Sequence, residues 1–332
     1  MVNLAVQSFG KEYELKRATL AVLSFFANTS IAKEEAQVFL FTDKPEYFRD
    51  NLAGLPVKFM LLTPEKVKQM RGSIDFLHRM KIALIEESFL NSEGDLLYFD
   101  SDTFFIADPM TLMKKLSPDL SFMHVHEYPF EEMKNFPLPG GATFQAYLKH
   151  IENNSFKLAD GSDFKISPKL SSWNAGVMML HREHANFLPD VYALTEQTYP
   201  QTQNHASEQY AFSILLETRT KLHTCDSVIY HYWYRIKKQI VDEFLNENLN
   251  NVFAKKSLEE KITIVKKWTK ELPSHFEKHV LTLKDNAVQR LNENKFGEGY
   301  AWAAKAIFKA PFSDKTFIKD VLYHFKRQMK GG

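Results

Sequence analysis

Asp100 and Asp102 close an apolar run, Leu96-Leu97-Tyr98-Phe99-Asp100-Ser101-Asp102-Thr103-Phe104-Phe105, which delivers two carboxylates one residue apart. Alternate side chains of a strand share a face, so this spacing predicts that both carboxylates point the same way. Two hard oxygen ligands suit Mg²⁺ or Mn²⁺, ions commonly held by one or two carboxylates together with substrate phosphates. The predicted chemistry is therefore that of a metal-bound phosphorylated substrate, with Asp100 on the metal and Asp102 bridging metal and diphosphate.

Other residue types fit around such a centre. His231 ends the apolar segment Asp226-Ser227-Val228-Ile229-Tyr230-His231, and a neutral imidazole is an acceptable ligand for Mn²⁺ as well as for softer metals. Trp233, Lys237 and Lys238 follow on a predicted loop, where a lysine can meet phosphate as a point charge. Glu208-Gln209 falls at a predicted helix start, which places a carboxylate and an amide together. Asn174-Ala175-Gly176-Val177 sets a glycine inside a predicted strand, a pattern that marks close approach by a ligand or another backbone. The pairs His124/His126 and His181/His184 lack cysteines or acids at zinc spacing, so surface or substrate-loop roles are expected for them. Cys225 is the single cysteine, which excludes an internal disulfide and leaves a buried inert thiol as the expectation.

These residues need a scaffold that brings strand ends together. Val2–Phe9 reads as a strand, and Leu15, Thr19, Val22 and Phe26 then recur at helical spacing. Residues 37–41 and 57–62 read as further strands, and Thr63-Pro64-Glu65 as a helix start with proline at its favoured first position. A helix is predicted over residues 74–89, then the turn Asn91-Ser92-Glu93-Gly94 and the strand leading to Asp100. Ser121–His126, Trp173–Leu180 and Asp226–His231 are the later strands. Strands alternating with helices imply an α/β domain with a mostly parallel sheet and flanking helices, whose ligands gather beyond the carboxyl ends of the strands. Residues 142–171 read as an inserted excursion, with turn chemistry at Ala159-Asp160-Gly161-Ser162. Beyond Lys238 the texture turns Lys/Glu-rich and helical, including Leu258–Trp268 and a helix pair over 286–310 that turns near Asn294-Lys295-Phe296-Gly297. The expected division is a catalytic domain over 1–240 and a helical appendage over 241–332.

The 332 residues carry a net charge of +1, so no overall field draws the chain to nucleic acid, and none is expected as a partner. The 28 phenylalanines point to an aromatic-rich core. No apolar stretch reaches the roughly 20 residues needed to span a bilayer, and the strand-like start lacks signal-peptide zones; a cytoplasmic protein is expected. Near the C-terminus, Lys305, Lys309, Lys315, Lys319, Lys326, Arg327 and Lys330 alternate with Phe308, Phe312, Phe317, Leu322 and Phe325. The favoured reading is a packed helix with a solvated basic face; the other is peripheral contact with the inner face of an anionic membrane.

Taken in order, Tyr13, Lys81, Asp100-Ser101-Asp102, Asn174-Ala175-Gly176-Val177, Glu208-Gln209 and His231 resemble the motifs of nucleotide-sugar glycosyltransferases of the GT-A fold. The resemblance is closest to the retaining group of glycogenin and the bacterial lipopolysaccharide galactosyltransferases, glycosyltransferase family eight, and covers about residues 1–240. It implies that Asp100, Asp102 and His231 hold Mn²⁺ (or Mg²⁺) on the diphosphate of a UDP-sugar. It further implies that Tyr13 stacks near uracil, with Gln7 and Ser8 lining the base pocket, Asp43 at its edge and Ser101 beside the nucleotide-sugar. Lys81 would contact the phosphates or donor sugar, Asn174 and Gly176 would face sugar and acceptor, and Lys237 or Lys238 would meet the diphosphate. The group usually has Asp-Gln where this chain has Glu208-Gln209, so which of these approaches the anomeric carbon stays open. The implied reaction moves a hexose to a saccharide or glycolipid hydroxyl. Two alternatives remain: a haloacid-dehalogenase-like phosphatase, for which Leu96–Thr103 also fits with Asp100 as nucleophile and Asp102 as general acid, and a catalytically silent nucleotide-sugar binder. A sugar-phosphate nucleotidyltransferase would need a glycine-rich, arginine-containing loop that Ser8–Tyr13 does not supply.

Overall fold

The computed structural model describes residues 1–311 and 314–329. By its internal contacts the chain divides into two compact units: Met1–His231 with Asn251–Val265, and Tyr232–Asn250 with the residues from Lys266 onward.

The first unit begins with alternating elements: β1 (Val2–Gln7), α1 (Glu12–Asn28), β2 (Ala36–Thr42), α2 (Pro45–Asn51), β3 (Val57–Leu61) and α3 (Pro64–Arg71). Proline opens both α2 and α3, where its missing N–H leaves no helical bond unmade. Thr63 caps α3 by accepting the Lys66 N–H at 3.2 Å. The helix predicted from Ile74 begins later, as α4 (Arg79–Leu90). Gly72 and Asp75 both take positive φ, 68° and 48°, which breaks the helical path and delays its restart.

The chain continues through β4 (Leu96–Phe99), β5 (Thr103–Phe105), α5 (Met110–Met113), β6 (Leu120–Met123) and β7 (His126–Pro129). Residues 142–171 then hold α6 (Ala142–Asn153) and the small hairpin of β8 (Phe156–Lys157) with β9 (Asp163–Phe164). They are followed by β10 (Ser171–Trp173), β11 (Val177–Leu180), α7 (Leu188–Thr202), α8 (Ser207–Arg219), β12 (Lys221–Thr224) and β13 (Ile229–His231). Two strands expected to be continuous are each broken in two. The segment 121–126 divides between β6 and β7, and 173–180 between β10 and β11; Asn174 still exchanges backbone bonds with His124 and Val125, but the Ala175 and Gly176 N–H groups turn to side-chain oxygens of Gln209 and Asn174.

The central sheet has seven strands in the order β12-β6-β11-β4-β1-β2-β3. β11 runs antiparallel to both neighbours, and the other four pairings are parallel. This is an α/β fold with a mostly parallel sheet. β1 lies between β2 and β4, so chain connections leave it in opposite directions, and such a switch point opens a crevice at the carboxyl ends of the two strands. Here those ends are Gln7 and Phe99. Leu4, Ala5 and Val6 are all fully buried, as expected of a strand covered on both faces. Met80, Ile82, Leu84, Ile85 and Phe89 of α4 join Ala5, Phe41, Tyr98 and residues of α7 and α8 in one core.

After β13 the chain is helical: α9 (Arg235–Asn248), α10 (Asn251–Ala254), α11 (Leu258–Lys278), α12 (Val280–Asn292), α13 (Phe296–Lys309) and α14 (Lys315–Met329). Lys237 and Lys238, expected on a loop, lie in the first turn of α9. In the second unit Leu283, Ala287, Ala303, Ala306 and Phe317 form a small core of their own. The turn between α12 and α13 passes through Asn294 at φ 60°, where the sequence places it. α14 buries Phe317 and exposes Leu322, Tyr323, Phe325 and Met329; Phe312 and Lys330 lie outside the described residues. Among the described residues no helix is long and apolar enough to cross a membrane.

Candidate functional site

The two aspartates do not share a strand face, because β4 ends at Phe99. The Asp100 N–H donates to the Gly176 carbonyl at 2.7 Å, and the chain then turns through Ser101 and Asp102. The Thr103 hydroxyl closes the turn on the Asp100 carbonyl at 2.8 Å. β5 follows at once and pairs antiparallel with β13, which sets His231 opposite Thr103. A turn and a two-strand ribbon thus do what strand alternation was expected to do. One ligand atom each of Asp100, Asp102 and His231 lies within 4.8 Å of the other two. His231 Nε2 is 3.3 Å from Asp102 Oδ1, both side chains being buried and Asp100 half-buried. Two carboxylate oxygens and one imidazole nitrogen fit Mn²⁺ or Mg²⁺, and three protein donors leave an octahedral ion positions for phosphate oxygens.

His231 is held from behind. Its Nδ1 lies 2.9 Å from Asn174 Oδ1, and the same oxygen accepts the Gly176 N–H at 3.0 Å. An atom that accepts from a backbone N–H is an acceptor, so His231 donates from Nδ1–H, and its Nε2 is the ring nitrogen turned toward Asp102. The imidazole also rests on Gly176: a Cβ there would stand 2.0 Å from His231 Cε1. Gly176 is therefore not a strand glycine, as expected, but a loop residue whose missing side chain is the space the histidine ring fills.

Lys81 of α4 reaches the same crevice. Its Nζ lies 3.6 Å from Asp100 Oδ2 and 3.4 Å from Glu208 Oε1, and it donates to the Ala175 carbonyl at 3.2 Å. Burial alone would lower the lysine's pKa, but Asp100, Glu208 and Asp102 outweigh it and raise it, so the ammonium stays charged. The Tyr98 hydroxyl donates to Asp100 Oδ1. Burial, reinforced by Asp100, holds the Tyr98 pKa well above the usual phenol value and keeps it a neutral donor. Glu208, in the first turn of α8, is 3% exposed, and its Oε2 has no hydrogen-bond partner.

Gln209 is committed at both ends. Its Oε1 accepts the Ala175 N–H at 3.1 Å, and its Nε2 donates to Glu127 Oε2 at 2.9 Å and to Ser172 Oγ at 3.0 Å. Glu127 is a residue that sequence reasoning missed. Its Oε2 also accepts from Ser172 Oγ at 2.7 Å, and its Oε1 accepts from Asn174 Nδ2 at 3.1 Å. The pairing of β7 with β10 sets Ser172 opposite Tyr128 and Trp173 opposite His126, so Glu127 is the extra residue of a bulge. Bulges re-aim side chains in this way. The bulge has no signature in the sequence.

The expected base pocket is assembled more loosely. Gln7 ends β1, and Ser8 is buried with its hydroxyl unpartnered. Asp43 accepts the Gly10 N–H at 3.1 and 3.2 Å, tying the loops after β1 and β2 together. Tyr13, 37% exposed, has the Arg17 guanidinium 4.8 Å from its ring centroid. Ser101 donates to Glu14 Oε2 at 2.8 Å, which links the aspartate turn to α1. Lys237 and Lys238 belong to the second unit. His124 is buried and packs edge-on against His231 at 5.3 Å; burial, then the neighbouring His231, lowers its pKa to about 4. His126 packs edge-on against Trp173, and His184 Nε2 lies 2.9 Å from the Pro118 carbonyl. A separate cavity of about 410 Å³ is lined by Lys66, Arg79, Glu86 and Tyr192 among others. It uses the face of α4 opposite Lys81, and its charges pair internally, Lys66 with Glu87 and Arg79 with Glu196.

No protein-family model matches the chain, and no curated protein matches its sequence. Similar solved structures include mouse xyloside xylosyltransferase 1 in its apo form, 13% identical, covering 68% of this chain and 85% of that one, with a TM-score of 0.42. They also include galactosyltransferase LgtC in complex with donor and acceptor sugar analogues, 14% identical, covering 76% of this chain and 95% of that one, with a TM-score of 0.44.

Proposed function

We propose that this chain is a metal-dependent GT-A-type glycosyltransferase that moves a hexose from a UDP-sugar to a hydroxyl of a saccharide or glycolipid, with retention of configuration. The observation that carries this reading is the meeting of Asp100, Asp102 and His231 within one ion's reach at the switch point of the sheet. When bound there, Mn²⁺ or Mg²⁺ supplies charge neutralisation on a departing diphosphate.

The chain's own residues divide the remaining work. Asn174 holds the His231 Nδ1 proton and so presents Nε2 as a ligand. Lys81, kept charged between Asp100 and Glu208, offers a fixed positive charge to phosphate or donor sugar. The unpartnered Glu208 Oε2 is the carboxylate oxygen available to a sugar centre that becomes positive, whereas both ends of the Gln209 amide are already engaged. That favours Glu208 over Gln209 for electrostatic stabilisation of the anomeric carbon. The acceptor hydroxyl would attack from the face that UDP leaves. Tyr13, Gln7, Ser8 and Asp43 would receive the base, and Ser101 and Gly176 would line the nucleotide-sugar.

The test is titration calorimetry of UDP with and without Mn²⁺, followed by UDP release from UDP-glucose and UDP-galactose. Metal-dependent UDP binding with UDP release is the expected result. Hydrolysis of a generic phosphomonoester by a chain that binds no UDP would overturn the reading in favour of a phosphatase with Asp100 as nucleophile.

A further inference from the structure

Glu127 sits where three hydrogen-bond donors converge: Asn174 Nδ2 on Oε1, and Ser172 Oγ and Gln209 Nε2 on Oε2. An ionised carboxylate only accepts, so it satisfies all three. Its grip on Nδ2 decides which way the Asn174 amide faces. With Nδ2 on Glu127, Oδ1 must face the other way, where it meets the Gly176 N–H and the His231 Nδ1–H. The proton on Nδ1 in turn leaves Nε2 as the acceptor nitrogen, 3.3 Å from Asp102 Oδ1.

Resting on the metal-dependent reading above, we propose that Glu127 is a positioning residue that sets the divalent-cation affinity of the His231 site through the Asn174 amide. Glu127 need not touch the ion. It acts by fixing an amide, which fixes a tautomer, which fixes a ligand lone pair. The bulge in β7 is what allows a residue of a strand edge to reach both Asn174 and Gln209. One carboxylate thereby couples the metal ligand to the amide at the start of α8.

Glu127→Gln preserves shape but replaces one acceptor oxygen by an NH₂ donor. The new side chain cannot accept from Asn174 on one side and from Ser172 and Gln209 on the other, so one of the two amides must turn round. If Asn174 turns, its NH₂ faces the Gly176 N–H and the imidazole, which favours the Nε2–H tautomer and removes the lone pair from the ligand position. Substitution of groups that orient metal ligands typically costs about 10–100-fold in metal affinity.

The experiment measures Mn²⁺ binding directly, by calorimetry and by the electron paramagnetic resonance of free Mn²⁺, without donor or acceptor. The expected result is a loss of about 10–100-fold for Glu127→Gln, with no further loss when Glu127→Gln is added to Asn174→Ala. An unchanged Mn²⁺ affinity with a lowered kcat would overturn the proposal, since the substitution would then act through the Gln209 amide and not through the ligand. A wild type that binds neither Mn²⁺ nor UDP sinks the transferase reading itself, whereas a wild type that binds both, beside a Glu127→Gln that binds Mn²⁺ equally well, sinks this inference alone.

Discussion

The two ends of the candidate site are built to different standards. At the end proposed for the metal, His231 is braced by Asn174 and Gly176, Asp100 by Tyr98 and Lys81, and Gln209 by Ala175 and Glu127, while Glu208 keeps one carboxylate oxygen unpartnered. At the base end Ser8 keeps an unpartnered hydroxyl, and Tyr13 lies half in solvent beside Arg17. Under the proposed function, the difference matches what each end would handle. Concentrated charge is expensive to leave misplaced in a low-dielectric crevice, so its ligands are fixed before anything binds. A flat, weakly polar base can order its own contacts on arrival, at a smaller cost in affinity.

Gly176→Ala gives the largest expected break in that contrast. Its Cβ would stand 2.0 Å from His231 Cε1 and 2.4 Å from Nδ1. Both the ring and its bond to Asn174 must move. Mn²⁺ affinity should fall to or beyond the roughly 100-fold end of the range for displaced ligand supports, while UDP binding measured without metal stays near the wild-type value. Equal losses in both measurements would mean that the two ends are one rigid unit and that the contrast is false.

Lys81→Met comes next, and it is read in stability. It strands the carboxylate of Glu208, 3% exposed, without its cation. Breaking a buried pair from one side costs about 3–5 kcal/mol. Adding Glu208→Gln should restore a large part of the loss, because no buried charge then lacks a partner. A chemical-denaturation cycle over the four proteins checks this, and strictly additive losses would show that the two residues do not share one electrostatic network.

Much of the scaffold could be read before the fold was known. β1 to β4 announce themselves as apolar runs, and Pro64 after Thr63 marks a helix start. The approach of His231 to Asp100 and Asp102 is anticipated only by resemblance, since 129 residues of chain separate His231 from Asp102 and no local pattern links them. What stayed hidden is of one physical kind. The turn at Asp100–Asp102 and the bulge at Glu127 are both imposed by partners distant in the chain, and so is the identity of the ring that fills the close approach expected at Gly176. Local propensity carries no trace of them. The helical placement of Lys237 and Lys238 was missed for a different reason: a lysine-rich stretch after Tyr234 reads equally as a loop or as a first helical turn.

At the base end the expected effects are smaller and opposite in sign for stability. The buried Ser8 hydroxyl lacks a partner, and an unmet buried polar group costs about 1–3 kcal/mol. Ser8→Ala should therefore leave the unliganded protein as stable as wild type or more so, and weaken UDP binding. Tyr13→Ala should cost about 1–3 kcal/mol in UDP affinity, the range of a base stacked on an aromatic ring, without changing Mn²⁺ affinity. Thermal shifts with and without UDP separate the two effects. A destabilised Ser8→Ala with intact UDP affinity would move that hydroxyl from the ligand to the scaffold.

The smallest expected effect sharpens the contrast by supplying a region that should not respond to ligand at all. His184 is buried near the amino ends of β4 and β6; its Nδ1 accepts the His181 N–H at 3.1 Å, and its Nε2 lies 2.9 Å from the Pro118 carbonyl. Burial lowers its pKa, against the pull of the Pro118 carbonyl, so the folded protein keeps it neutral where the unfolded chain begins to charge it. The unfolded state then binds the extra proton, and stability rises with pH. The His184 contribution is thus complete above the ordinary histidine value near 6.5 and is lost as pH falls from there through the lowered folded value. One proton sets the limit, at most about 1.4 kcal/mol per pH unit. Urea unfolding between pH 8 and pH 5, compared with His184→Gln, should show a shallower slope in the variant, and the wild-type-minus-variant difference should be the same with and without UDP. A difference that changed with UDP would tie this end of the sheet to the nucleotide crevice and erase the separation between scaffold and site.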